Sequence, residues 1–462
     1  MPTTVPTPYD PATDLPRTVA MTRVFGTRAF FRLWLSQLTS SLGDWIGLIA
    51  ILAIAARVSD NSGAAVSLVM LARVVPGFFL ATVGGVIVDR FDRRKVIVIS
   101  DVGRAGLLVA LPFVDTLGGL VLVSFAMEVF SLLYGPAKDA SVPNLVPETR
   151  LASANSLGLV AAYGTFPFAS IAFSLLTILA TWLGGFDALS ALEFNTETLA
   201  LWLDAVTFIV SAALVWRLPL PARVRGPDRQ IDLTSTVREM VEGFHFIRRE
   251  RVVRAVIVGL GIGLIGGGAM IPLGPVFASE VLGGDAATFG LLMTALGIGA
   301  SVGIVTLLAV QRKLPRQSVF SATVMLTGLA IVLAASFSNT LLAALFAALT
   351  GAFAGSGYVT GFSLLQEEVA DELRGRTFAA LYSVIRLCLL ISLTVSPLFS
   401  DLFEWLTGLA FADHEIELAG AAYTVNGVRA TLWAGGLLTF VAGVWTRRAV
   451  RQAHEAVERE RA

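Results

Sequence analysis

Six ionisable residues sit inside long apolar runs of this 462-residue chain: Asp44, Arg73, Arg104, Glu128, Asp204 and Arg386. A charge at bilayer depth costs roughly 2.5 to 3.5 kcal/mol on insertion scales, so each needs a reason to be there. A carboxyl group that exchanges a watery for a dry setting can take up and release a proton, and Asp44 and Glu128, both well inside their runs, are the candidates for that chemistry. Asp44, beside Gly43 and Gly47, has a structural alternative: pairing with Arg73 or capping a helix break. Arg73 and Arg386 have the charge to hold an anionic group or to neutralise Asp44 or Glu128, with a buried structural ion pair as the rival role. Asp204 stands nearer the end of its run and is expected at the membrane interface. Tyr134, Tyr163, Phe166 and Tyr382 fall on the same runs, where lining a cavity and ordinary packing are equally open.

Enzyme chemistry has no visible foothold. There is no phosphate-binding loop, no H-E-x-x-H and no nucleophile elbow, so no catalytic residue and no cofactor is expected. His245, His414 and His454 all lie in loops or tails, which leaves no intramembrane metal site to propose. Cys388 is the single cysteine, so no intrachain disulfide can form.

The elements that must position these residues follow from composition. The chain is 55% hydrophobic and only 15% charged, and its mean hydropathy is +0.76; a soluble domain carries about a quarter charged residues. Runs of about 20 apolar residues read as membrane helices. Twelve occur, near residues 33–56, 65–88, 96–114, 118–137, 152–183, 199–218, 253–279, 286–310, 317–337, 340–365, 376–407 and 427–446. The fifth and eleventh are longer than a bilayer needs and are expected to include an interfacial turn. Trp34, Trp45, Trp182, Trp202, Trp405, Trp433 and Trp445 fall mostly near run ends and are expected in an interfacial belt.

Charge then predicts orientation. With both termini on one face, the tails and the loops after spans 2, 4, 6, 8 and 10 hold 29 of the 34 Lys and Arg. The opposite loops hold Arg57 and Arg429, and Arg73, Arg104 and Arg386 lie within spans. The positive-inside rule puts both termini in the cytoplasm. The polar, Pro-rich start lacks the layout of a cleaved signal peptide and is expected to be a disordered tail.

Residues 217–254 carry nine Arg and divide the chain into six spans and six. The halves echo one another: "VDRFDRR" from Val88 matches "VQRKLPR" from Val310, 222 residues on, and "LVPETRLASAN" from Leu145 matches "EVADELRGRTF" from Glu368, 223 residues on. Two stretches agreeing on nearly one offset indicate an internal repeat. The expected fold is therefore all-α and integral to the membrane, with twelve transmembrane helices in two six-helix pseudo-symmetric halves around a central cavity. Its expected divisions are a cytoplasmic tail (1–32), a first half (33–218), a cytoplasmic linker (219–252), a second half (253–446) and a cytoplasmic tail (447–462).

Between spans 2 and 3 the chain reads "GGVIVDRFDRRK", with six charges among the seven residues from Asp89 to Lys95. In this register the stretch resembles the signature loop of the major facilitator superfamily, G-x-x-x-D-R-x-x-R-[KR], with Gly85, Asp89, Arg90, Arg93 and Arg94 at the matching positions. The resemblance implies that Asp89 faces the N-terminus of span 11, near Thr377, and latches the two halves on the cytoplasmic side, where a helix dipole favours an anion. Gly84 and Gly85 would permit the close helix approach. Arg93 and Arg94 are expected to pair with acids such as Asp101, and Arg104 to join the same gate network.

"SLGDWIGLIA", "RVVPGFF", "YGPAKDASVPNLVP", "LDAVTFIVSAALVWRLP" and "DELRGRTFAALYS" are similar to the bacterial branch that includes macrolide and siderophore exporters, a drug:proton antiporter branch. Two places depart from the antiporter pattern: span 4 offers Glu128 in place of a basic residue, and span 5 keeps Pro167 but loses most of the expected glycines. The resemblance implies a proton-coupled exporter of a small amphipathic molecule, monomeric, in the bacterial plasma (inner) membrane. Its partners would be cargo, protons and membrane lipids, with no nucleic acid. An importer or lipid flippase of the same fold, and a non-transporting membrane interaction protein, are the alternatives. They are told apart by flux direction and by whether the buried charges can be neutralised without loss.

Overall fold

The computed structural model describes residues 24–77, 91–147, 150–184, 195–220, 247–310, 315–369, 371–410, 415–418 and 421–461. Gly85, Asp89 and Arg90 of the signature loop, and most of the expected linker, lie outside the described residues.

Helices dominate. In chain order they are α1 (Arg28–Val58), α2 (Gly63–Val74), α3 (Arg93–Ala110), α4 (Leu117–Asp139), α5 (Leu151–Tyr163), α6 (Phe166–Gly184) and α7 (Thr196–Trp216). Then come α8 (Arg251–Gly267), α9 (Met270–Glu280), α10 (Ala286–Val310), α11 (Arg316–Ser336), α12 (Thr340–Glu368), α13 (Asp371–Ala410) and α14 (Gly427–Arg461). Eleven stretches among the described residues are long and apolar enough to cross a membrane, and α2 is a shorter apolar helix. Large apolar side chains such as Leu122, Ile178, Leu341 and Leu409 point outward, as they do when the surrounding solvent is lipid.

Polar caps and breakers set the helix limits. Asp92 accepts from the backbone N–H of Arg94 at the start of α3, Asn195 from Thr198 at α7, and Asn339 from Leu341 and Leu342 at α12, each satisfying a donor the first turn leaves open. The long fifth run breaks at Gly164 and Thr165 into α5 and α6, as its length suggests. The seventh breaks at Gly268 and Ala269 into α8 and α9. The eleventh does not break: α13 runs 40 residues through Pro397 without interruption. Between α13 and α14 a short antiparallel hairpin, β1 (Glu415–Leu418) with β2 (Ala421–Thr424), pairs Glu415 with Thr424; the apolar-run reading of the sequence gave no hint of it.

The chain falls into two compact units, one of residues 1–54 and 72–231, the other of residues 55–71 and 232–462. In the first, α3 packs on α7 and α4, and α6 on α7. Its apolar core joins Phe30 and Leu33 of α1, Ile97 of α3, Ala137 of α4 and Val215 of α7. In the second, α10 packs on α12, α11 on α12 and α14, and α8 on α13 and α14. Phe320 and Val324 of α11 meet Val253 and Val256 of α8 and Leu364 of α12 in its core.

Candidate functional site

The polar centre of the first unit is built on one face of α3. Asp101 and Arg104 are three residues apart, so their side chains rise on the same side of the helix. Arg104 Nη2 donates to Asp101 Oδ1 at 2.5 Å, and both side chains are sealed, at 2% and 0% exposure. From α7, Ser211 Oγ donates to the other oxygen of Asp101 at 2.7 Å. The Arg104 guanidinium lies over the rings of Phe208 (4.0 Å) and Tyr134 (4.6 Å), a double cation–π contact that holds its plane in place.

Asp44 completes the cation's surroundings. Its Oδ2 stands 3.6 Å from Arg104 Nη1, and a third of its side chain is left uncovered by protein. One residue back, Gly43 lies directly against Asp204 and Thr207 of α7, and Gly47 lies against the carboxylate of Asp204. A side chain at either glycine would occupy the space of that carboxylate. Asp204 itself is fully buried. Thr207 Oγ1 lies 2.7 Å from the Asp204 carbonyl and 3.3 Å from Asp204 Oδ1, while Oδ2 has no hydrogen-bond partner. Asp44, Arg104 and Arg73 are the charged groups acting on Asp204. The arrangement gathers three carboxylates and two guanidinium groups within four apolar helices.

Several expectations change here. Arg93 and Arg94 were expected to pair with acids such as Asp101, but Asp101 lies eight residues into α3 from Arg93, about 12 Å along the axis, and accepts from Arg104 and Ser211. It faces α7 instead. Arg93 donates to the Ala140 carbonyl at 2.6 Å, and Arg94 stands 3.9 Å from Asp92. For Tyr134 cavity lining and packing were equally open; it is buried, its ring against the Arg104 guanidinium. Asp204, expected at the membrane interface, is sealed within the protein against α1. The signal was present: Asp204, Thr207, Phe208 and Ser211 recur at helical spacing and form one polar-edged stripe on an otherwise apolar helix.

The remaining candidates are dispersed. Glu128 is half-buried on α4. Arg386 is an exposed residue of α13, in the second unit. Phe166 packs edge-on against Trp45, ring centres 5.0 Å apart. The side chains of Tyr163 and Tyr382 lie outside the described residues. Two tryptophans tie α1 to α5: Trp34 and Trp45 donate to the Leu157 and Ala162 carbonyls at 2.9 and 3.0 Å, and Gln37 donates to Gly158 between them. Arg429, expected in an outer loop, is buried at the start of α14 and donates to Ser338 Oγ at 2.7 Å.

Comparison with known proteins agrees with this architecture. The profile described as Major Facilitator Superfamily matches residues 33–392. The uncharacterized MFS-type transporter YfiS of Bacillus subtilis (strain 168) is 29% identical over 214 residues, 46% of this chain and 48% of that protein, so the match spans about half of each. Macrolide efflux protein A of Streptococcus pyogenes is 24% identical over 387 residues, covering 80% of this chain and 89% of the relative. Among solved structures, a bacterial homologue of the human lysosomal transporter Spinster superposes with a TM-score of 0.68 over 92% of this chain and 98% of that one, at 13% identity, a likeness of fold alone.

Proposed function

The chain belongs to the Major Facilitator Superfamily, a multi-pass membrane transporter of small molecules and not an enzyme, and on that premise we propose that it is a proton-coupled exporter of a small amphipathic cargo. The similarity to macrolide efflux protein A supports the direction and the cargo class. The observation that carries the coupling is the ion pair between Asp44, a third uncovered, and Arg104, sealed beneath it. A coupling carboxylate must be ionised in one access state and protonated in the other. An approaching guanidinium favours the charged form and its withdrawal favours the proton, so a change in the Asp44–Arg104 separation would convert conformation into proton affinity. Glu128 is the second candidate acid, and Arg73 and Arg386 are the cations proposed for anionic parts of the cargo.

The chain is placed in the bacterial plasma membrane with both termini and the 219–252 linker cytoplasmic, on the strength of the basic residues gathered on that face. Residues 33–218 and 253–446 are the proposed moving halves. Gly85, Asp89, Arg90, Arg93 and Arg94 form the proposed cytoplasmic gate.

Reconstitution into liposomes holding a pH-sensitive dye tests the reading, with a macrolide as probe cargo and an imposed proton gradient. Asp44→Asn should abolish gradient-driven accumulation and cargo-dependent proton movement while leaving cargo exchange. Uphill transport at the wild-type rate by both Asp44→Asn and Glu128→Gln would exclude these carboxylates as the coupling sites.

A further inference from the structure

We infer that Asp204 is a proton-binding site, occupied in this conformation, and that the proton coupled through Asp44 is stored there. The storage stands on the geometry of Asp204 alone; its use in transport rests on the reading of Asp44 above.

Hydrogen accounting carries the first step. The Thr207 hydroxyl has one hydrogen, and the nearer of its two acceptors is the Asp204 main-chain carbonyl, at 2.7 Å against 3.3 Å for Oδ1. With that hydrogen committed to the carbonyl, the Oδ1 contact is best made by a hydrogen on the carboxyl, donated to a free lone pair of Thr207. Oδ2 is then a neutral carbonyl oxygen, and its lack of a partner costs less than it would for a carboxylate oxygen. An ionised Asp204 would instead bury two acceptor oxygens with no hydrogen fully directed at either, a worse outcome than neutralising the group.

Charge accounting agrees. The charges felt by Asp204 include Asp44 from α1, Arg73 from α2 and Arg104 from α3, with Thr207 in contact on its own helix. Asp101 lies behind Arg104 and takes its closest contact, and Tyr134 of α4 covers the guanidinium with a neutral ring. Three carboxylates against two guanidinium groups leave one negative charge unbalanced; one bound proton makes the cluster neutral. Asp101 is the better-compensated anion, with a guanidinium hydrogen bond at 2.5 Å on one oxygen and the Ser211 hydroxyl on the other. Asp44 keeps an ion pair and an uncovered face. Asp204 has neither. The glycines at 43 and 47 bring the α1 backbone against the acid, where a Cβ at either would overlap its carboxylate.

The route follows from exposure. A proton arriving at the uncovered face of Asp44 is taken from hydronium, leaving water, and passes to the Asp204 carboxylate; its return to Asp44 and to water reverses each step. No bond other than O–H is made or broken.

Infrared spectroscopy of the full chain in lipid, without cargo or gradient, tests storage directly. The wild type should show a carboxylic-acid C=O stretch that shifts in D2O. Asp204→Asn should lose that band and Glu128→Gln, which changes an acid of another helix, should keep it. Thr207→Val removes the acceptor of the acid hydrogen while keeping the side-chain shape, and should move the band to higher frequency. A band that survives Asp204→Asn, that vanishes in Glu128→Gln, or that Thr207→Val leaves in place would overturn the assignment, as would its absence from the wild type. Should Asp204→Asn fail to fold, the Thr207→Val shift decides. Since no transport is measured, failure of proton coupling leaves these spectra unchanged, and the two ideas fail separately.

Discussion

Arg104 and Asp101 hold each other at 2.5 Å one helical turn apart, and neither side chain is accessible. A buried pair of this kind is costly to half-remove, because the survivor keeps its charge and loses its counter-charge. Arg104→Gln should destabilise the protein by about 3–5 kcal/mol, and adding Asp101→Asn should recover part of that loss. Chemical unfolding in detergent micelles measures both. A double variant no more stable than Arg104→Gln alone would speak against the pair as the source of the cost.

The rings over Arg104 should be separable from its ion pairs. Phe208→Leu keeps an apolar side chain but removes a ring 4.0 Å from the guanidinium, and should cost about 1–2 kcal/mol beyond the change in packing. Tyr134→Phe keeps its ring and should cost less. Equal losses in the two variants would show that ring electrostatics contribute little.

At Gly47 an added methyl would overlap the Asp204 carboxylate. Gly47→Ala should cost about 1–3 kcal/mol by overpacking. Combined with Asp204→Ala, which opens that space, it should be nearly neutral relative to Asp204→Ala alone, giving a coupling of about 0.5–3 kcal/mol in a double-mutant cycle. Additive losses would place the two residues out of contact.

Orientation is tested at position 230, inside the basic central segment. With Cys388 replaced by serine, Gln230→Cys should resist a membrane-impermeant maleimide added to intact cells and react in everted vesicles. Labelling from outside would reverse the proposed topology.

Much of the fold was legible because the bilayer makes crude demands: length, apolarity and a charge bias in loops are each written locally, so spans could be delimited without knowing their neighbours. The broken fifth run, with Gly164 and Pro167 in it, was readable for the same reason. The site was less so. Asp44 stood out as an acid in an apolar run, but which cation it meets depends on how α1 and α3 are rotated against each other. Span counting says nothing of that rotation, and Arg104 was accordingly assigned to the loop network nearer in sequence. The sealing of Asp204 was not read, because distance to the run's end says nothing of which face of α7 meets α1. The glycines at 43 and 47 recorded that meeting, though only once the partner helix is known.

Trp34, Gln37 and Trp45 all donate from α1 to main-chain carbonyls of α5, at Leu157, Gly158 and Ala162. A carbonyl is offered by every amino acid, so the attachment depends on the identities of the donors and hardly at all on those of the acceptors. Under selection the two helices are therefore unequal partners: α1 should be constrained at these three positions, whereas the accepting α5 positions remain free to exchange one small or aliphatic residue for another. A lineage could in this way retune the exposed face of α5 without loosening its grip on α1, with each change reachable by a single substitution and no compensating one.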